Sequence, residues 1–248
     1  MRKLKFGLTA VLVLCAVLLA SCLDFFSNSL GENLARDPAT IKVTPDNVDK
    51  LLKESKGDSA ASRGILDKIA AELKNSSTPD PKLQAAAVTA ANQAAGLGEL
   101  VLGNIGTVLN TVDGSDTTTD GDTFATLLGE VQNQVKENEF AKVAASTSDS
   151  LGGALDPAAT TPQFKGEALN NVSEADLTLL AFTLILAETE KISDRTFDDY
   201  IKTWTDGNKL NGTGLSDSER LIAAIGNKLA NGDGKIGKTL GDLLGKKE

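Results

Sequence analysis

From Thr44 onward, apolar residues recur three and four positions apart, and cap or turn residues punctuate the runs. That period fits one face of an α-helix, whereas a half-buried strand would alternate at every second residue. Val48, Leu51 and Leu52 form the first face, after Thr44-Pro45. A capping residue followed by proline suits a helix start, where the missing N–H has no intrahelical partner to lose. Gly57-Asp58 breaks the run, and Ile65, Leu66, Ile69 and Leu73 mark a second helix. The two read as an antiparallel hairpin. Asp80-Pro81 repeats the cap-and-proline signal and opens a small-residue stretch reaching about Val112. Ala85, Ala86, Ala87, Ala90, Ala91, Ala94 and Ala95 permit close helix–helix approach. Gly96, Gly98, Gly103 and Gly106 follow; each costs a helix roughly 1 kcal/mol relative to alanine, which predicts a break near Gly96–Gly98. Glu99 is the only charge between Lys82 and Asp113, as in a membrane-inserted helix. Asn92, Gln93, Asn104 and Asn110 make this stretch more polar than most spans, and a buried central helix is expected instead.

Further along, Phe124, Leu127, Leu128, Val131 and Val135 form the clearest amphipathic pattern in the chain. Residues 145–172 lack periodicity and hold Gly152, Gly153, Pro157 and Pro162, which predicts a long loop or flap. Ser173 and Asp176 stand three apart, like a capping box with Asp in place of Glu, before the nearly all-apolar Leu177–Ala187. A helix apolar on every side is normally central. Phe197, Tyr200 and Trp204 share one helical face, expected to be a core stripe. Ser216 and Glu219 form a regular capping box before Leu221, Ile222, Ile225 and Leu229. Ile236, Leu240, Leu243 and Leu244 make a last amphipathic turn. The best strand candidate is Ile41–Thr44, and it is short. Residues 44–248 are therefore predicted to be all-α, a helical bundle or an array of helical hairpins. No aromatic or glycine signature recurs near the roughly 34-residue period of tetratricopeptide arrays.

The N-terminus is of a different kind. Arg2, Lys3 and Lys5 precede an apolar run from Phe6 to Ala20, which closes Leu19-Ala20-Ser21-Cys22. The run is short for a membrane span of about 20 residues, and Asp24 follows at once. A basic head, an apolar stretch and small residues at a cleavage point define a secretory signal peptide. With the cysteine directly after Leu-Ala-Ser, the segment resembles the signal peptide and lipobox of bacterial lipoproteins. That resemblance implies cleavage before Cys22, a diacylglyceryl group on its sulfur, and acylation of the new amine by a chain such as palmitate. Each buried methylene contributes about 0.8 kcal/mol, so two or three chains hold firmly where one binds reversibly. It implies a signal peptide at 1–21, a lipidated tether at 22–43, and an extracytoplasmic helical domain at 44–248 in the bacterial cell envelope. Leu23, in place of the Asp that retains enterobacterial lipoproteins at the inner membrane, points to the outer membrane. The succession of helices also resembles certain spirochaete lipoproteins built of helical repeats.

Composition then removes whole classes of chemistry. The chain has no histidine, which excludes Ser-His-Asp and Cys-His arrangements and any histidine-ligated zinc site. Loss of residues 1–21 removes Cys15, and lipid occupies Cys22, so no thiol is left for a disulfide. It also leaves 22 basic against 34 acidic residues, near −12 in formal charge, which disfavours nucleic acid and anionic lipid as partners. Gly232-Asp-Gly-Lys-Ile-Gly237-Lys238-Thr239 matches the P-loop pattern. That loop needs a strand before it and an acid-bearing domain after it, and neither is predicted, so no nucleotide is expected. Aligning Gly234 with the sixth position of a calcium loop puts Leu229 and Leu240 where calcium needs oxygen. Asp113, Asp116, Asp120 and Asp122 form the densest carboxylate cluster and the sole calcium candidate, but their spacing matches no EF-hand. No metal, cofactor or catalytic residue is predicted. Asn75, Asn171 and Asn211 sit in glycosylation sequons, which a bacterial source makes idle.

Three functions follow from these readings. The first is a non-catalytic scaffold or adaptor, held to the membrane through Cys22, for an envelope protein partner. The second is a module that binds a hydrophobic ligand or lipid between the small-residue helix and the Leu177–Ala187 helix. The third is a carboxylate-dependent envelope hydrolase, which requires two buried carboxylates about 5–9.5 Å apart in a cleft.

Overall fold

The computed structural model describes residues 42–76, 78–98, 139–191, 200, 203–204, 214–232, 240 and 244. Six helices lie among them: α1 Val48–Glu54, α2 Ser59–Lys74, α3 Pro81–Ala95, α4 Glu139–Leu151, α5 Glu174–Glu190 and α6 Asp217–Ala230. The described residues contain no strand beyond one isolated bridge, so the class is all-α, with the helices packed as a bundle. Lys42–Thr44, within the one strand candidate, forms no strand. Val43–Glu248 forms one compact unit. Cys22 lies outside the described residues, as do the signal peptide and the tether up to Ile41.

Most helix boundaries follow from capping chemistry. Asp58 accepts from Ala61 N at 2.9 Å to open α2, and Asp80 accepts from Lys82 N and Leu83 N at 2.8 and 3.1 Å to open α3. These contacts satisfy backbone donors that have no partner inside a helix. At the other end of α3, Gly96 adopts the left-handed conformation (φ 65°), so the predicted break falls where a residue without Cβ takes it at least cost. The first helix differs from expectation. Thr44 O accepts from Val48 N at 3.0 Å, but Pro45 and Asp46 form a turn and the regular helix begins at Val48. Serines at the start of α2 meet the end of α3: Ser62 Oγ lies 3.2 Å from Gln93 Oε1, and Ser59 Oγ lies 3.5 Å from Gln93 O. The hairpin is therefore α2 with α3, and α1 packs against both.

The predicted loop at 145–172 is shorter than expected. Helix α4 continues through Leu151, and a 3-10 turn follows at Gly152–Ala154. Its Ser and Thr side chains hide the helical pattern, because such hydroxyls favour caps and turns over helix interiors. Here Thr147 and Ser150 return theirs to the carbonyls of Val143 and Ser146, each at 2.7 Å. Phe140, Val143, Ala144 and Leu151 face the core.

Helix α5 is central, touching α3, α4 and α6. From Leu177 to Thr189 every residue except Leu179 is buried, as an all-round apolar helix requires. Fully burying one such leucine or isoleucine contributes roughly 1.5–3 kcal/mol, so this helix adds heavily to the stability of the described core. Helix α3 approaches it through small residues: Ala87, Val88, Ala90 and Ala91 are wholly buried. Asn92 Nδ2 donates to Asp176 O at 2.9 Å, tying α3 to the first turn of α5. The small-residue stretch is thus a buried helix as far as Ala95, and no helix among the described residues is long and apolar enough to cross a membrane. Tyr200 and Trp204 are each 1% exposed and stack edge to face at 6.2 Å, the expected core stripe. Phe197, the amphipathic segment at 124–135, Ile236 and Leu243 lie outside the described residues. Leu240 and Leu244 are buried.

Candidate functional site

Two regions gather polar side chains beyond what the helices need. The first is the junction of the α5 C-terminus with the α6 N-terminus. Ser216 caps α6 as its sequence predicts: its Oγ accepts from Glu219 N at 3.2 Å, and Glu219 Oε2 accepts from Ser216 N at 2.9 Å. The same Ser216 hydroxyl donates to Glu188 Oε1 at 3.2 Å. One hydroxyl, donor and acceptor at once, links the Glu188 carboxylate to the Glu219 backbone amide, while the Ser216 amide holds the Glu219 carboxylate. Glu188 and Glu219 are 6% and 8% exposed. Lys191, half-exposed, donates to Glu188 Oε1 at 2.5 Å, and the Tyr200 hydroxyl sits 3.5 Å from Glu219 Oε1. Burial pushes the Tyr200 phenol far above the usual tyrosine range, and the negative charges of Glu219 and Glu188 push the same way; a hydrogen bond with Trp204 opposes them. Tyr200 is thereby held neutral.

Two buried carboxylates near one another are the starting point for a carboxylate-dependent hydrolase. Glycosidic cleavage also needs them facing a cleft, with room for substrate and water between. Here the Ser216 amide and hydroxyl, the Lys191 ammonium and the Tyr200 phenol converge on them, and neither carboxylate lines either described groove. The arrangement can fasten α6 to α5. The sequence announced Glu219 through its capping box, but Glu188 carried only a faint signal, a carboxylate next to the all-apolar Leu177–Ala187.

The second region lies around Asn171. The segment after α4 is a strap laid on the bundle: Leu155 and Phe164 form an antiparallel bridge, with Asp156 N to Gln163 O and Lys165 N to Ala154 O both at 2.8 Å. Asn227 Nδ2 and Lys228 Nζ on α6 reach Pro162 O at 2.9 Å and Asn170 Oδ1 at 2.7 Å. Leu169 is 2% exposed and takes φ 60°, a backbone strain held by burying its side chain. Two grooves flank the strap at Asn171. One, of about 340 Å³, lies toward α1, with Asp49, Lys53, Lys82, Gln93 and Asp176 among its walls. Its charges are partly paired, Lys82 Nζ standing 3.0 Å from Asp49 Oδ2. The other, of about 460 Å³, lies over the N-terminal turn of α3, with Pro79 and Pro81 on one side and Ala168 and Asn170 on the other. Gln84 reaches this groove, yet the residue is only 4% exposed. Its side-chain amide makes no hydrogen bond to another described residue. Lys165 Nζ, also on the wall, donates to Gly153 O at 2.9 Å.

The other sequence candidates fall elsewhere. Cys22 and the cluster Asp113, Asp116, Asp120 and Asp122 lie outside the described residues, and among the described residues no three acidic or cysteine side chains could share a metal ion. Of the P-loop look-alike only Gly232 is described; what leads into it is helix α6, ending at Ala230, where a P-loop requires a strand. Comparison of the chain with protein-family models, with curated proteins and with solved structures found no match.

Proposed function

We propose that this chain is a lipid-anchored protein of the bacterial envelope that acts as a non-catalytic scaffold or adaptor for another envelope protein. The observation that carries the reading is Leu19-Ala20-Ser21-Cys22 behind a basic head and a short apolar run. Two features support it. The chain has no histidine, and the carboxylates of Glu188 and Glu219 at the α5–α6 junction are bonded by Ser216 and Lys191 and line neither described groove. An anchored domain of this kind acts by being held at a surface and binding there. The test is metabolic labelling of the full chain with radioactive palmitate in a bacterial host, followed by membrane fractionation. Wild type takes up label and sediments with membranes, whereas Cys22→Ser loses both; label retained on Cys22→Ser removes the anchor from the account.

A further inference from the structure

The strap from Leu155 to Val172 is bonded mainly to itself. Every strap amide that has a backbone partner among the described residues finds it between Gly152 and Val172. Asp156 N and Lys165 N close the bridge, and Asn170 N and Val172 N close turns on Glu167 O and Leu169 O at 3.1 and 3.2 Å. Two neighbouring side chains of α6 tie the strap to the bundle, Asn227 at Pro162 O and Lys228 at Asn170 Oδ1. Leu155 and Leu169 are the leucines it buries. A segment with its own backbone bonds and few ties to the core can open while the rest stays folded.

Its backbone pushes the same way. Gly166 takes φ 47° and Leu169 φ 60°, both in the left-handed region. Leu169 is the one residue other than glycine found there among the described residues, and in a leucine that conformation crowds Cβ against the following carbonyl. Such a conformation persists only while its surroundings hold it, and it gathers in segments that switch. An opened strap is free to return both residues to ordinary backbone. The position of the strap gives the motion a consequence. It stands between the two grooves, which share Asn171, and both run along α3, one past Lys82 and Ala86, the other past Pro81 and Gln84. Lifting the strap joins them into one trough. We propose that the strap is a latch, which opens as a unit on a folded bundle when Asn227 and Lys228 release it. The closed form is the one described above, and the open form is a minor state in equilibrium with it. A latch of this kind is independent of the lipid anchor and of the adaptor reading.

Hydrogen exchange of the full chain in detergent, followed amide by amide by NMR, tests the latch. Relative to their intrinsic rates, the amides of Asp156, Lys165, Asn170 and Val172 exchange together, about a hundredfold or more faster than those of Leu180 and Leu184 in the buried centre of α5. Lys228→Met keeps the aliphatic stem and removes the donor at Asn170. It speeds all four strap amides roughly fivefold, including Asp156 and Lys165 at the far end, and leaves α5 unchanged. Gly166→Ala places its methyl in open space, so its effect comes only from the left-handed backbone that the closed strap demands. It speeds the same four amides by a similar factor. Strap amides that exchange no faster than those of α5, four amides that exchange at unrelated rates, or variants that leave the strap unchanged or speed only the nearer end overturn the proposal.

Discussion

The α5–α6 junction and the α3 groove both bury polar side chains, and they treat them in opposite ways. At the junction Glu188, Glu219 and Tyr200 all have protein partners: Ser216 gives its amide to one carboxylate and its hydroxyl to the other, and Lys191 pairs with Glu188. In the groove Gln84 makes no hydrogen bond to another described residue, and its amide opens onto the groove wall where water reaches it. A buried network in which each member is satisfied fixes a structure; a single unsatisfied member costs stability. The difference separates polar groups bonded inside the fold from one that opens onto a groove.

Breaking the junction gives the largest effect. Glu219→Ala removes the carboxylate that accepts from Ser216 N, abolishes half of the capping box, and takes away the acceptor beside the Tyr200 hydroxyl. A loss of about 2–3 kcal/mol is expected in urea unfolding, with little change in the slope. A shift below about 0.5 kcal/mol would place Glu219 among ordinary surface residues and dissolve the comparison.

A smaller effect is read from pH. Burial, with Glu219 and Glu188 nearby, raises the folded-state pKa of Tyr200 above its unfolded value. Above roughly pH 10 the unfolded chain releases this proton while the folded one keeps it, so stability is full below that pH and falls as pH rises past it. Tyr200→Phe has no such proton to lose. Urea midpoints measured from neutral pH upward converge for wild type and variant at alkaline pH, after a neutral-pH deficit of about 1 kcal/mol for the lost hydroxyl contact.

The two regions also differ in how far the sequence announced them. Cap residues are local chemistry, so Asp80, Ser173 and Ser216 could be placed from sequence, and the structure keeps all three as N-caps; Asp58, read only as part of a break, caps α2 as well. The all-apolar Leu177–Ala187 likewise had only one place to go, the centre. Helix α4 was obscured because Ser and Thr dominate its last turns, and only tertiary burial of Phe140 and Val143 holds it. Thr44-Pro45 overstated the start of α1 by one turn. The sites were less legible. Glu188 meets Ser216 from 28 positions away, and Gln84 becomes conspicuous only once the strap closes over it. Such pairings are set by packing between distant segments, which periodicity does not encode.

The contrast between the two regions is tested most directly by the unfolding free energy of Gln84→Leu, measured in urea beside wild type. Replacing an amide that opens onto the groove and bonds no other described residue predicts a stability within about 0.5 kcal/mol of wild type. A loss of about 1 kcal/mol or more would show that Gln84 holds the fold together, as Glu219 does, and would contradict the contrast between the two regions.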